Sequence, residues 1–396
     1  MPDGVSLRRR LAIFVPHASD ILTDHQAHGD GLVAFEIVSR LARRGHVVHV
    51  AAPRVDVRRN IPQTLRLYQI GIGDGTSLRG RLRYMLEVRR LFEKLRRRGR
   101  IDLVHQLNPV FTGMSLAVAG VDVPVVLGSY VGDWPAEFGE RASGGWRSVF
   151  VRYAKRAVAA VQQRHAAAIF VTTPAARSRI VDRRREGRKV VVLPHGIDPA
   201  LYTPAPPDDG RANLDPSILF LGGIEDRKGI FVLAEAFRRV RARLPRCRLV
   251  VAGWGHRGED FVASVAGERE HVDIRYLVER SDVPKLLREC TVFCMPSFGE
   301  PFGMALLEAM ASGKPVVVTD AGGAAHIVDE QGGRKVPLGD AQRLADALIE
   351  ILESPELQRA MGKHNREVVE RFYDWDCVIE RLEAEYRRLT RSDVGR

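Results

Sequence analysis

A chain of 396 residues exceeds what one hydrophobic core ordinarily supports, so two domains are expected. At 45% hydrophobic and 28% charged it lies in the globular range, which excludes disordered and collagen-like classes. No apolar run approaches the roughly 18–20 residues that a bilayer-spanning helix needs, and the run Leu11–Pro16 after Arg8, Arg9 and Arg10 is too short for an export signal. Cys247, Cys290, Cys294 and Cys377 form neither a disulfide framework nor a paired zinc motif, so a cytoplasmic protein is expected. The formal charge is +12, from 61 basic and 49 acidic residues, and it favours anionic partners. Nucleic acid is not expected among them, because no aromatic-interleaved RNA motif or zinc finger accompanies the charge.

In chain order, Leu11–Pro16 reads as a buried strand, Leu32–Arg43 as a helix ended by Gly45, and Val47–Ala51 as the next strand. Leu78–Arg100 is strongly basic, with Leu78, Leu82, Met85, Phe92 and Leu95 near helical spacing. It reads either as a helix lying on an anionic membrane surface or as a core-packing helix with a solvated basic face. Leu103–His105, Val123–Leu127, Ala168–Val171 and Val190–Leu193 are further short strands. Pro194, Pro199, Pro204, Pro206 and Pro207, followed by Asp208, Asp209 and Gly210, mark an interdomain joint.

The alternation then restarts. Ile218–Leu221, Arg248–Ala252, Val292–Met295 and Pro315–Thr319 read as strands, and Gly229–Arg243, Val283–Arg288, Gly303–Ala311 and Ala341–Leu352 as helices. Two βα series imply an α/β protein of two doubly wound, Rossmann-like domains facing across a cleft. Residues 1–200 would form the first domain and residues 201–373 the second. The segment 374–396 contains a helix, Cys377–Leu389, with an apolar stripe able to pack on either half.

Ligands in such sheets sit at the carboxyl ends of strands, against the first turn of the next helix. Three junctions suit a phosphate. Gly29-Asp30-Gly31 opens a helix, although a plain turn reads as well. Gly222-Gly223-Ile224-Glu225-Asp226-Arg227-Lys228-Gly229 pairs a glycine turn with adjacent cations, Arg227 for bidentate contact and Lys228 as a point charge. In Glu300-Pro301-Phe302-Gly303-Met304-Ala305, proline and glycine leave N–H donors free at a helix entrance. Glu300 is placed to accept from sugar hydroxyls. Glu308 sits in an apolar helix, where a carboxylate needs partners such as ribose hydroxyls, or a structural one such as Lys314.

Glu300-x7-Glu308 within FGEPFGMALLEAMASGKPVVVTDAGG, together with LFLGGIEDRKG, resembles family 4 of the retaining glycosyltransferases, which have the GT-B fold. The likeness is strong over Ile218–Leu352 and looser over residues 11–200. It implies a hexosyltransferase that moves a sugar from a nucleoside diphosphate, uridine being the commonest base in the family, to a hydroxyl acceptor. Glu300 would hold the sugar and Glu308 the ribose, while the Phe302–Ala305 backbone would meet sugar and diphosphate. Arg227 and Lys228 would neutralise the leaving group. Gly29, Gly31 and Gly223 would line the pocket, and Leu277 and Val278 would lie at the base. The C-terminal helix would cross back onto the first domain.

Two departures stand out. Many relatives carry a histidine after the strand written here Val123–Leu127, where this chain places Tyr130; either Tyr130 substitutes by bonding a sugar hydroxyl, or Asp133 faces the site. Relatives also often have an acidic residue at the position of His326. No cofactor and no metal is expected, since no Asp-x-Asp pair sits at a suitable junction; the nucleotide sugar is a co-substrate. The acceptor is read as a small sugar, cyclitol or natural-product scaffold. A membrane lipid is the alternative, in which case the protein contacts an anionic membrane peripherally. A nucleotide-sugar epimerase and a noncatalytic binder are the rival classes. His17, His105 and His195 follow strands and read either as cleft-lining or as hydrogen-bonded structural residues. Trp134 beside Pro135 reads equally as an acceptor platform or as packing.

Overall fold

A computed structural model describes residues 9–17, 21–25, 29–71, 78–107, 113–118, 120, 122–132, 146–181, 189–206 and 215–391. Asp133, Trp134, Pro135 and residues 207–210 lie outside that set. The first half comprises β1 (Ala12–Pro16), β2 (Leu22–Thr23), α1 (Gly29–Arg43), β3 (Val47–Ala52), β4 (Val55–Asp56), β5 (Leu65–Gln69), α2 (Leu78–Arg98), β6 (Leu103–Gln106), β7 (Val125–Tyr130), α3 (Trp146–His165), β8 (Ala168–Val171) and β9 (Val190–Val192). The second comprises β10 (Ser217–Leu221), α4 (Ile230–Arg243), β11 (Arg248–Ala252), α5 (Gly258–Ser264), β12 (Val272–Arg275), α6 (Val283–Glu289), β13 (Val292–Met295), α7 (Met304–Ala311), β14 (Val316–Thr319), β15 (Gly333–Val336), α8 (Ala341–Leu352) and α9 (Pro355–Val368). A π-helical turn, Val369–Tyr373, leads into α10 (Trp375–Arg391).

The larger sheet runs β5-β3-β1-β6-β7-β8-β9 and the smaller β12-β11-β10-β13-β14-β15, with parallel pairing throughout both. These are two Rossmann-like domains. In each, the strand order reverses beside the first strand, between β1 and β6 and between β10 and β13. Helices cannot cover the crevice at that point, so each sheet offers a binding edge there. The short apolar runs read in the sequence are the central strands, and β1, β6, β8, β13 and β14 are almost wholly buried because helices cover both faces of a parallel sheet. The half-exposed β5 and the glycine-led β15 carry weaker apolar signals and stand at the sheet edges.

The last helix joins the first core. Trp375, Val378, Ile379, Leu382, Tyr386 and Leu389 recur at helical spacing and share a buried cluster with Leu11, Ile13, Val38 and Leu41. Full burial of such side chains stabilises by about 1.5–3 kcal/mol each, before ordering entropy is subtracted. The chain crosses back through backbone bonds at the joint: the N–H of Ile197 donates to Tyr373 O at 2.7 Å, and that of Trp375 to Ile197 O at 3.1 Å. Gly196 is obligatory there, because an added Cβ would stand 2.4 Å from the Trp375 ring.

Polar contacts orient α10. The N–H of Leu11 donates to His46 Nδ1 at 3.1 Å, so the other ring nitrogen carries the proton and donates to Glu383 Oε1 at 3.0 Å. His46 and Glu383 are both nearly inaccessible, and Arg387 adds a 2.9 Å ion pair to the same carboxylate. Removing one member of a buried pair strands the others. Glu383→Ala is therefore expected to cost roughly 3 kcal/mol and to lower the urea midpoint. A midpoint unchanged from wild type would show that α10 docks through its apolar stripe alone.

Candidate functional site

The carboxyl ends of β7, β10 and β13 converge on one cavity of about 320 Å³ between the two sheets. The first domain contributes Gly29, Asp30 and Val33 from the first turn of α1, together with Val131. The second contributes Gly222, Lys228, Ser297 and the run Glu300–Ala305, and His195 enters from the joint. Two helix N-termini from different domains thus border one space, and each adds partial positive charge and unsatisfied N–H groups. α7 is capped by Gly303 at φ +97° with no side-chain hydrogen bond, and Met304 and Ala305 line the cavity behind it. Such an arrangement receives an anion such as diphosphate.

The loop from Ser297 to Gly303 is held on three sides. The N–H of Phe298 donates to Arg227 O at 2.9 Å, and that of Gly323 to Glu300 O at 2.7 Å. Lys228 Nζ meets Glu300 Oε2 at 2.7 Å, with both side chains mostly shielded. Gly229 sits at φ +70° with its α-carbon pressed on the loop; a Cβ there would lie 1.9 Å from Pro296 O. Gly323 is likewise closed against Pro301 O.

Several expected site residues are displaced from the cavity. Arg227 does not line it, because its Nε pairs with Glu225 Oε2 at 2.5 Å. The two cations lie in a 3-10 turn, Asp226–Lys228, whose successive side chains diverge by about 120°, so only Lys228 faces inward. The expectation for Tyr130 is also corrected. It ends β7 and packs with Leu127, Ile169, Val171 and Ile180, where burial raises its pKa. Regular alternation would place Leu127 and Tyr130 on opposite faces, but the pairing with β8 is irregular between them, and the ring turns into the core.

Of the glycines, Gly29 lines the cavity, Gly31 is buried within α1, and Gly222 takes the place expected for Gly223. The triplet Gly29-Asp30-Gly31 belongs to the helix itself rather than to a turn before it. Leu277, 83% exposed at φ +54°, and Val278, packed against the second domain, do not line the cavity. Phe302, Gly303, Met304 and Ala305 all do.

Glu308 is buried one helical turn behind the cavity wall. Tyr202 Oη donates to its Oε1 at 3.0 Å, and Arg280 Nη2 stands 3.7 Å away. Burial raises its pKa, against Arg280 and Tyr202. Lys314 is not its partner, since that ammonium donates to Arg288 O and Cys290 O. Tyr202 and Arg280 also line an adjoining crevice of about 280 Å³, which shares Gly29, Val33 and Met304 with the main cavity. Neither residue is marked in the sequence, because one falls in the proline-rich joint and the other in a loop.

The three histidines divide. His17 Nε2 bonds Ile21 O at 2.9 Å, and His105 bonds Tyr386 Oη and Gly128 O, so both are structural. His195 lines the cavity and meets Phe302 edge-on at 4.8 Å. Cys294 is a buried small hydrophobe of β13. Among the described residues, no group of three or more His, Cys, Asp or Glu side chains is placed to hold a metal ion.

Two outcomes follow from this geometry. Gly229→Ala is expected to push the Pro296–Glu300 loop out of place, costing at least about 2 kcal/mol; a crystal structure with the loop unmoved would refute the pinning. Burial depresses the pKa of His105 to about 3 and of His195 to about 4. Unfolded histidine titrates near ~6.5, so below that pH the unfolded chain takes up protons that the folded chain refuses. The contribution of both groups is complete above pH ~6.5 and is lost as pH falls toward 4. Urea midpoints measured at pH 7.5 and 5.0 should show that drop, and His195→Gln should shrink it.

Similarity to known proteins agrees with this architecture. The model described as Glycosyltransferase Family 4 matches residues 28–201, and that described as Glycosyl transferases group 1 matches residues 206–368. The chain is 34% identical over 213 residues to a phosphatidyl-myo-inositol mannosyltransferase of Mycolicibacterium smegmatis, covering 52% of this chain and 54% of that protein. That match therefore spans only about half the relative's length. A Mycobacterium tuberculosis protein of the same description is 26% identical over 97% of this chain and 98% of its own length. A GDP-mannose-dependent monoacylated alpha-(1-6)-phosphatidylinositol monomannoside mannosyltransferase of Corynebacterium glutamicum is 30% identical over 48% of this chain and 54% of its own. In fold, sucrose-phosphate synthase of Thermosynechococcus elongatus superposes with TM-score 0.73 at 22% identity, over 96% of this chain and 100% of that one. With two facing Rossmann-like sheets and the two family patterns spanning residues 28–201 and 206–368, the chain belongs to glycosyltransferase family 4 and has the GT-B fold.

Proposed function

We propose that the enzyme transfers mannose from GDP-mannose to a hydroxyl of an inositol-bearing phospholipid, with retention at the anomeric carbon. The observation that carries the donor half is the Lys228–Glu300 pair in a cavity bordered by two helix N-termini. Diphosphate would lie against α7 and α1, with Lys228 neutralising the charge that develops as it leaves. Glu300 would exchange its contact with Lys228 for sugar hydroxyls. Glu308 would hold the ribose beside Tyr202, with the base toward the crevice that Arg280 lines. The preference for uridine, drawn from family frequency, gives way to guanosine because the named donor among the relatives is GDP-mannose.

Retention follows a front-face route in this reading. The acceptor oxygen bonds to the anomeric carbon on the side from which diphosphate departs, and the acceptor proton passes to the leaving phosphate oxygen. No carboxylate nucleophile is required. Closure of the domains would exclude the water that otherwise hydrolyses the donor.

The lipid acceptor replaces the small-molecule one on two grounds. The relatives are named for phosphatidyl-myo-inositol. In addition, α2 is apolar on two sides. Tyr84, Val88 and Phe92 enter the core, while Leu82 and Leu86 stand 52% and 61% exposed on the opposite side, among the exposed Arg79, Arg83 and Arg90. Apolar side chains ringed by cations suit the interface of an anionic bilayer. No helix among the described residues is long and apolar enough to cross a membrane, so contact would be peripheral.

Incubation with radiolabelled GDP-mannose and phosphatidylinositol vesicles should yield label in the organic phase, and Lys228→Ala and Glu300→Gln should each reduce turnover at least about 100-fold. Label only in a water-soluble glycoside would reinstate the small acceptor; an isomerised donor would indicate an epimerase. Leu82→Asp with Leu86→Asp should abolish co-sedimentation with anionic vesicles while leaving the urea midpoint near wild type.

A further inference from the structure

A groove runs along the first domain between α2 and the 3-10 turn Met114–Val118, and it shares no lining residue with the donor cavity or its adjoining crevice. It encloses about 450 Å³ and is bordered by Leu82, Met85 and Leu86 of α2, by Leu116 and Ala117 of the turn, and by Arg89. Its floor is anchored in the core, where Tyr84, Val88 and Phe92 share a buried cluster with Met114 and Val118. The turn is also held from behind: Gln162 Oε1 accepts from the N–H of Gly113 at 2.6 Å, and Gln162 Nε2 donates to Ser115 Oγ at 2.8 Å. Arg89 closes one side, paired with Glu93 at 2.6 Å and reaching Ala117 O with Nη1 at 3.5 Å. The groove is thus set by packing and hydrogen bonds beneath it.

The chemistry of the lining selects the occupant. Among the described residues it offers one polar side chain, Arg89, whose guanidinium already has a carboxylate partner. A sugar, a nucleotide or a peptide segment laid there would leave its own donors and acceptors unmatched, which is destabilising. A hydrocarbon chain incurs no such loss, and the flexible thioether of Met85 adapts to a chain of no fixed shape. Charge then decides what the chain belongs to. Arg79, Arg83 and Arg90 stand exposed beside the leucines of α2, while the nearby Glu87 and Glu93 are paired with Arg90 and Arg89. The border is net positive and suits an anionic headgroup. We propose that the groove takes one acyl chain of an anionic phospholipid of the bilayer, with the lipid phosphate at the arginines of α2. Resting on a bilayer needs only the outward leucines, whereas a concave slot between helix and turn fits a single chain drawn from it. The site shares α2 with the peripheral contact proposed above and is independent of the donor and acceptor readings.

Titration calorimetry of the intact protein with lysophosphatidylglycerol, held below its critical micelle concentration, should show one site per chain. Glycerophosphoglycerol, the same headgroup without the chain, should not bind, and lysophosphatidylcholine should bind about fivefold more weakly. Ala117→Trp fills the groove from the turn and should weaken lysophosphatidylglycerol binding at least about tenfold, with a urea midpoint near wild type. Absence of binding by the monomeric lipid, or equal binding by wild type and Ala117→Trp, overturns the groove. So does headgroup binding as tight as that of the intact lipid, and equal affinity for the choline lipid overturns the anionic preference. Wild type that still co-sediments with phosphatidylglycerol vesicles then keeps its peripheral contact without the groove; loss of co-sedimentation as well removes both. If Ala117→Trp does not fold, wild type with labelled methionine methyl groups decides by NMR. The Met85 signal, assigned from Met85→Leu, should broaden when the lipid carries a spin label at its chain end, and an unaffected Met85 signal overturns the assignment.

Discussion

Lys228 and Glu300 come from separate strand-to-helix turns of the second domain, and their 2.7 Å contact joins the two turns across the mouth of the cavity. Three further contacts keep these turns in place. Gly229 allows the loop to come within backbone contact, Phe298 is bonded to the carbonyl of Arg227, and Gly323 is bonded to the carbonyl of Glu300. In the proposed donor complex, the carboxylate would leave the ammonium only as hydroxyls and phosphate replaced both sides of the contact. A site arranged in advance spends little reorganisation when charge develops on the leaving group.

The second constraint is the path of the chain between the halves. It passes from β9 through Ile197 into the second domain and returns through Tyr373 into α10, with Ile197 bonded to both sides of the return. His195 lies two residues before this crossing and touches Phe302, so the cavity wall includes the interdomain joint. The apolar stripe of α10 and the His46–Glu383 contact anchor the returning end to the first core. The two halves are therefore joined at a crossing whose two strands of chain are tied together.

The first domain presents two surfaces on which the proposed lipid acceptor rests. α1 directs its N-terminus at the cavity, while α2, elsewhere in the same domain, shows leucines and arginines to solvent. Core packing through Tyr84, Val88 and Phe92 fixes the helix, and Leu82 and Leu86 are exposed on its opposite side.

The two βα series, most of their central strands and the Glu300-to-Glu308 segment were legible in the sequence alone, whereas β2, β4, β5, α3, α5, β12, β15 and α9 were not singled out. The legible features depend on local signals: short apolar runs for parallel strands buried on both faces, and proline and glycine at helix entrances. Which side chains meet at the site was not legible. Arg227 and Lys228 are adjacent in sequence, yet a three-residue 3-10 turn sends only Lys228 inward. Tyr130 occupies a strand end of the right kind, but an irregular pairing rotates it into the core. Tyr202 and Arg280 carry no local mark, because they meet Glu308 only when distant segments pack together, and His195 was marked only as one of three strand-following histidines. Sequence patterns report the period and burial of a single element; the direction of a side chain in a turn, and its neighbours from distant segments, are set only when the elements pack.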